Sequence, residues 1–379
     1  MGMHEAHKRS LEALARRRRL RALQPRCGLD FASNDYLGLG ASDLLRTAAR
    51  EALDRGVPIG AGASRLLRGN HPEHEALEAE AAAFFGAQSA LFFGGGFQAN
   101  SALFATVPQR GDVIVHDELI HASAHDGMAI SRADSLPFAH NDPDAASDAI
   151  AGWRRAGGKG RIWIAVESLY SMDGDTAPLE ALARIANRND AMLVIDEAHA
   201  TGIYGPNGRG LGTTLEGGEN VVALHTCGKA LGASGALLTL PTVLRDYMVN
   251  RARAFIYATA PSPLNAAIAR AALKLVHNEP ERRQRLAKLV AHAGALLRER
   301  CSITPTGTQI QPLIVHRDER ALRIANALQD AGFDVRAIRP PTVPEGTARL
   351  RLSLTLNVTA DDVSRLIGCL APLLAETQA

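Results

Sequence analysis

The sequence has only four cysteines, Cys27, Cys227, Cys301 and Cys369, and no two of them form a C-x-x-C pair. That absence argues against a zinc knuckle or a disulfide framework and fits a reducing compartment. An excess of one charge is also missing. With 42 Lys+Arg against 40 Asp+Glu, the chain offers no general attraction for nucleic acid or an anionic membrane. No uncharged run is long enough to span a bilayer, and MGMHEAHKRSLEALARRRRLRAL at the start has no apolar stretch of the signal-peptide kind. Internal repeats and low-complexity linkers are absent too. The expectation is a cytoplasmic protein with neither a nucleic-acid nor a membrane partner.

What is present is alternation. Apolar runs at 90–93, 112–117, 161–168, 191–199 and 220–226 read as buried strands. Helical patterns lie between several of them, such as 177–190, where Leu179, Leu182, Ile185 and Ala186 share one face. This predicts an α/β domain with a mostly parallel sheet, whose ligand groups gather at the carboxyl ends of the strands. After about Leu275 a charged helical stretch leads into short strands and two further helices, the last with Thr359 and Asp362 in capping-box spacing. The expected organisation is an N-terminal segment over 1–45, a large α/β domain over 46–275 and a small α+β domain over 276–379. In the first segment, Leu11, Leu14, Leu20 and Leu23 interleave with Arg16–Arg19 and Arg21, which predicts an amphipathic helix with a solvated basic face.

Four motifs bear on chemistry. In HTCGKALGASGA, Lys229 is surrounded by small residues, a setting that suits a lysine reaching a planar ligand. In MLVIDEAHATG a hydrophobic strand ends at Asp196, Glu197 and His199; the aspartate reads either as a helix cap or as a carboxylate held against a ring nitrogen. "DEAH" also occurs in nucleic-acid helicases, but they need a G-x-x-x-x-G-K-[ST] loop, and this chain has none. In LFFGGGFQANS a strand runs through Gly94–Gly96 into a helical pattern, which is either a tight turn or a phosphate cradle. In DELIHASAHDG, His121 and His125 stand four apart. Without an H-E-x-x-H pattern a metal is a poor reading, and a structural or ring-stacking histidine competes better.

Phosphate cradle, histidine, carboxylate at a strand end and lysine, in that order, suit pyridoxal 5'-phosphate, which needs an amine, a partner for its ring nitrogen and donors for its phosphate. The chain resembles the fold-type-I pyridoxal-phosphate enzymes, and among them the α-oxoamine synthases, through FASNDYLGL, GASRLLRGN, ESLYSMDGDTAPL, DEAHATG, TCGKALGASGA and IYATAPSP. The segment AIRPPTVPEGTARLRLSLT is most similar to the 8-amino-7-oxononanoate synthase branch.

That resemblance implies a large domain with a mostly parallel sheet, a small C-terminal α+β domain and an N-terminal substrate segment. It implies condensation of L-alanine with pimeloyl-CoA or pimeloyl carrier protein, giving 8-amino-7-oxononanoate, CO2 and a free thiol in biotin biosynthesis, by a homodimer. A sibling synthase using glycine and a short acyl-CoA, or a non-catalytic relative, is the alternative. Carried over, Lys229 would bind the cofactor covalently, Asp196 would face its ring nitrogen, His199 its 3-oxygen, and His121 would stack on the ring. Gly96, Phe97, Thr226 and Thr259 would meet the phosphate, Thr259 from the partner subunit, with Ser171 near the ring. Arg351 and Asn34 would hold the amino acid, and Thr342 would line the acyl channel. No metal is implied.

Overall fold

A computed structural model describes residues 3–376, which form two compact units. One takes in the chain up to Asn34, Met172–Gly174 and the chain from Arg285 onward, and the other takes in Asp35–Ser171 and Asp175–Gln284. The first unit opens with α1 (Glu5–Arg16) and β1 (Leu29–Asp30). The helix is shorter than the leucine spacing predicts: Arg18 adopts a left-handed φ of 55°, which takes Leu20 and Leu23 out of the helix. Tertiary ion pairs hold the chain there instead, with Arg19 Nε donating to Asp318 at 2.7 Å and Arg19 Nη1 to Glu345 at 2.6 Å.

The second unit begins with α2 (Asp43–Asp54), α3 (Pro72–Phe85), β2 (Ser89–Phe93) and α4 (Gly96–Thr106). It continues through β3 (Val113–Asp117), α5 (Ala122–Ala129), β4 (Asp134–Phe138), α6 (Pro143–Arg155), β5 (Ile162–Glu167) and α7 (Leu179–Arg188). It closes with β6 (Met192–Asp196), β7 (Val221–Thr226), β8 (Ala236–Leu240), α8 (Thr242–Arg251), α9 (Arg253–Ile256) and α10 (Pro263–Asn278). The seven strands form one sheet in the order β2-β8-β7-β6-β5-β3-β4. β8 runs antiparallel to the other six strands.

Every residue of β3, β5, β6 and β7 is buried, because helices cover both faces. The pleat sorts their side chains. Leu193 and Ile195 join a cluster with Ile150 of α6 and with Leu182 and Ile185 of α7, whereas Val194 faces Leu103 and Phe104 of α4 and Phe255 of α9. Pro137 sits in β4 at the sheet edge, where its missing N–H leaves no gap in the ladder.

The first unit resumes within α11 (Pro280–Cys301) and continues with β9 (Ile310–His316), α12 (Asp318–Asp330), β10 (Phe333–Asp334), β11 (Ala337–Ile338), β12 (Ala348–Ser353) and α13 (Ala360–Ala375). Its antiparallel sheet has the order β11-β12-β9, and β1 pairs in parallel with β10. At α13 the Thr359 hydroxyl accepts from the Asp362 N–H while Asp362 accepts from the Thr359 N–H, and Val363, Leu366, Ile367 and Leu370 are buried. The capping-box spacing thus does what it predicts.

Candidate active site

The carboxyl ends of the parallel strands carry a polar row: Asp117 ends β3, Glu167 ends β5, Asp196 ends β6 and Thr226 ends β7. Glu167 and Asp196 are neighbours in register. An apolar strand that stops on a carboxylate delivers it to the strand-end crevice, buried but with a free edge above it. Asp196 is buried, and its two oxygens are held separately: Oδ1 accepts the Ala198 N–H at 2.9 Å, and Oδ2 accepts Asn100 Nδ2 at 2.7 Å.

Asn100 extends the network. It also donates to Ser123 Oγ at 3.1 Å, and that hydroxyl lies 2.8 Å from His121 Nδ1. Because the Ser123 backbone N–H donates to the same ring nitrogen at 3.2 Å, Nδ1 is the acceptor and the neutral ring carries its proton on Nε2. Desolvation, reinforced by the charge of Lys229, lowers the pKa of His121, although Asp196 opposes it. The ring meets Phe97 edge to face with centroids 6.4 Å apart.

Lys229 lies just beyond β7, and its Nζ is 2.6 Å from His199 Nε2. The other ring nitrogen of His199, Nδ1, is 2.6 Å from the hydroxyl of Tyr36, which is wholly buried. Two glycines make this loop possible. Gly232 has φ +61°, and a Cβ there would lie 2.5 Å from the Gly40 nitrogen; Gly235 has φ +107°, and a Cβ would lie 2.4 Å from the Phe92 ring. Cys227 is no rival nucleophile, since burial pushes its thiol up to about 12.

The glycine-rich turn leads into α4, whose first turn has no side-chain cap, so its N–H groups remain available to an anion. Thr226 Oγ1 lies 3.6 Å from the place where a side chain on Gly96 would begin, and the Gly228 N–H donates to that hydroxyl at 3.4 Å. Phe97 and Thr259 are exposed. The Ser171 N–H donates to Glu167 Oε2 at 3.2 Å. Burial, and then the negative charge of Asp196, holds the Glu167 carboxyl well above the usual carboxylate range, and its Oε1 has no hydrogen-bond partner.

The remaining expected residues belong to the first unit. Arg351 of β12 is buried, donating through Nη1 to Ser353 Oγ at 2.9 Å and through Nη2 to Asn34 Oδ1 at 3.0 Å. The hydroxyl of Thr342 accepts from Arg21 at 2.9 Å beside a cavity of about 520 Å³ that Arg18, Arg19, Arg336 and Arg339 also line. Among the described residues no cluster of His, Cys, Asp or Glu suits a metal ion. His125 turns to His116, with ring centroids 5.1 Å apart.

Tyr36, Asn100 and Ser123 stand inside FASNDYLGL, LFFGGGFQANS and DELIHASAHDG, but nothing in the sequence alone marks them as site residues. Their polar contacts join segments 23 to 163 residues apart, which no local pattern encodes. The signal available was a polar residue inside an otherwise apolar stretch, such as Asn100 in FQANSALF.

The family model for aminotransferase class I and II matches residues 27–370. The chain belongs to that family. It is 41% identical to the 8-amino-7-oxononanoate synthase of Anaeromyxobacter dehalogenans, over 97% of this chain and 93% of that protein. It is 43% identical to the protein of the same name from Chromobacterium violaceum, over 86% and 84%. These relatives are acyltransferases, and the chain is an enzyme of their kind. Among solved structures, the 8-amino-7-oxononanoate synthase of Francisella tularensis is 27% identical, with a TM-score of 0.79 over 93% of this chain and 99% of that one. The serine palmitoyltransferase of Sphingomonas wittichii, 24% identical, shares the fold with a TM-score of 0.88 over 100% and 98%. The architecture is that of a fold-type-I pyridoxal-phosphate transferase, with the mostly parallel sheet that the strand pattern predicts.

Proposed function

We propose that the chain uses pyridoxal 5'-phosphate to condense L-alanine with pimeloyl-CoA, or with pimeloyl carrier protein, and that CO2 and the thiol leave as 8-amino-7-oxononanoate forms for biotin biosynthesis. The observation that carries this reading is the Lys229 amine at 2.6 Å from His199, beyond the end of a sheet that also presents Asp196. The residues fit the cofactor. Lys229 would bind it covalently and Asp196 would face its ring nitrogen. His121 and Ser171 would flank the ring, and Gly96, Phe97 and Thr226 would receive its phosphate at the uncapped start of α4. When bound, the cofactor supplies an electron sink for charge at the amino acid's Cα.

The protein's own groups do the rest. The donors from Asn100 and Ala198 hold the two oxygens of Asp196 in place. Lys229 Nζ, beside His199, is the base that takes the Cα proton of alanine and later returns one to the product. Arg351 would take the amino acid's carboxylate through its fork of donors, fixing the direction of the bonds to Cα, with Asn34 holding the guanidinium. The arginine-lined cavity beside Thr342 has the charge to take an anionic part of the acyl donor.

A homodimer, with Thr259 reaching the partner's phosphate site, is supported by large exposed apolar side chains in the second unit: Ile59 is 71% exposed, Leu67 81% and Tyr257 72%. No helix among the described residues is long and apolar enough to cross a membrane, and the expectation of a cytoplasmic enzyme is kept as part of the proposal. The test is CO2 and free-thiol release by the holoenzyme, offered L-alanine, glycine or L-serine with a pimeloyl thioester or a short acyl-CoA, with Lys229→Ala as control. Turnover with alanine and the pimeloyl thioester is expected. Turnover confined to glycine and a short acyl-CoA would make the chain a sibling synthase.

A further inference from the structure

We propose that Tyr36 is a positioning residue for the reaction: its hydroxyl selects the tautomer of His199 and so decides whether the nitrogen facing Lys229 accepts a proton or donates one. The inference rests on the role proposed above for Lys229 and on the place beside the cofactor's 3-oxygen that the resemblance gives His199.

Three groups stand in line. The Tyr36 hydroxyl is 2.6 Å from His199 Nδ1, and His199 Nε2 is 2.6 Å from Lys229 Nζ. Tyr36 is fully buried and His199 is 4% exposed, so solvent does not decide the tautomer. The segment that carries Tyr36 is held on both sides. Asp35 accepts the N–H groups of Leu39 and Gly40 at 2.9 and 3.1 Å, and the lysine loop presses so close at Gly232 that a Cβ there would meet the Gly40 nitrogen at 2.5 Å.

A neutral imidazole has one N–H to give. While Lys229 is an ammonium not bound to the cofactor it can only donate, so Nε2 must accept and the ring proton sits on Nδ1, pointing to the tyrosine oxygen. With Lys229 committed to the cofactor, Nε2 would instead face the 3-oxygen that the resemblance assigns to His199, an acceptor that would need a donor. The ring proton must then sit on Nε2, and Nδ1 must accept the Tyr36 O–H. A hydroxyl is able to donate in one state and accept in the other; a carbonyl or an amide N–H in its place could do only one. The ionisable groups in hydrogen-bond contact with His199 include Tyr36 and Lys229, and Asp196 stands three residues before it at the end of β6.

Removing the hydroxyl while keeping the ring, Tyr36→Phe, takes the donor from Nδ1 and weakens the tautomer in which Nε2 donates. The cofactor's oxygen then loses stabilisation as an anion, and the bound cofactor holds its proton to higher pH. In holoenzyme titrated by absorbance, the pH midpoint of the bound-cofactor band is expected to rise by roughly one unit, as loss of one good hydrogen bond would give. In a His199→Gln background the same substitution is expected to move the midpoint no further, since the effect runs through the imidazole. An unmoved midpoint in Tyr36→Phe, or an equal shift in both backgrounds, would overturn the inference. A second readout needs no Tyr36 variant: ¹⁵N-histidine spectra of wild-type holoenzyme, with the His199 signals found by their loss in His199→Gln, are expected to show the proton on Nε2. A proton on Nδ1 would overturn it. A wild-type protein with no bound-cofactor band would overturn the role of Lys229 as well, whereas a band that Tyr36→Phe leaves in place overturns this inference alone.

Discussion

His140 is clamped between two carboxylates: its Nδ1 lies 2.9 Å from Asp117 Oδ1 and its Nε2 2.8 Å from Asp175 Oδ2. One imidazolium therefore ties the end of β3 to the loop after β5, close to Glu167 and Ser171. Burial alone would lower the pKa of His140, but hydrogen bonds to the two carboxylates outweigh it and raise it to about 10. For Asp117, burial raises the pKa, and the hydrogen bonds from His140 and two backbone N–H groups more than reverse that.

The sign of the pH dependence follows. A histidine whose pKa is raised on folding contributes stability that is complete below its unfolded value of about 6.5, and that contribution fades as pH climbs towards 10. A depressed aspartate contributes above its unfolded value of about 3.9 and loses that contribution in acid. Thermal unfolding of His140→Gln should show a deficit of about 1–3 kcal/mol between pH 4.5 and 6.5 that narrows as pH rises towards 10. A deficit that is flat with pH would mean that the ring is neutral.

Glu167→Gln tests the opposite sign. The Glu167 carboxyl is raised by burial and by Asp196, so folding has to keep it protonated, and stability falls as pH rises above the unfolded value of about 4.3. The variant should match the wild type near pH 4 and melt higher at pH 8, because a neutral amide replaces an acid that resists ionisation. A lower melting temperature at pH 8 would show that Glu167 is a stabilising anion.

Gly232→Ala should destabilise the fold by about 2 kcal/mol or more and loosen the lysine loop, since the backbone is left-handed and the new Cβ would strike the backbone of residues 39 and 40. Thermal melts and cofactor affinity check this together. Gly228→Ala is the contrast: a Cβ there would meet nothing closer than 3.8 Å, and a small effect is expected.

Arg351→Lys should raise KM for alanine by roughly 10- to 100-fold with a smaller loss in kcat, because a point charge replaces a fork anchored by Ser353 and Asn34. Steady-state kinetics at saturating thioester separates the two. An unchanged KM would remove Arg351 from the amino-acid site.

Much of this architecture was legible in residue order, and the exceptions have physical causes. β6 and β7 stand out because they are buried on both faces and so read as unbroken apolar runs that stop at polar residues. β4, DSLPF, escaped because an edge strand carries exposed polar residues and a proline; β8, ALLTL, escaped because its proximity to the glycine-rich lysine loop hid it. The helix expected to run past Arg19 ends at Arg16, since ion pairs to Asp318 and Glu345 outweigh a helical pattern. Asp196 and Lys229 could be named from local context. Tyr36 and His140 could not, because their significance lies in partners 163 and 23 to 35 residues away.

Whether Lys229 is the residue to which the cofactor binds is read by reducing the holoenzyme with borohydride and mapping the modified peptide by mass spectrometry. A single cofactor adduct on Lys229, and none in Lys229→Ala, is expected. An adduct on Lys8, Lys159, Lys274 or Lys288, or none at all in a protein that still turns over, would contradict it.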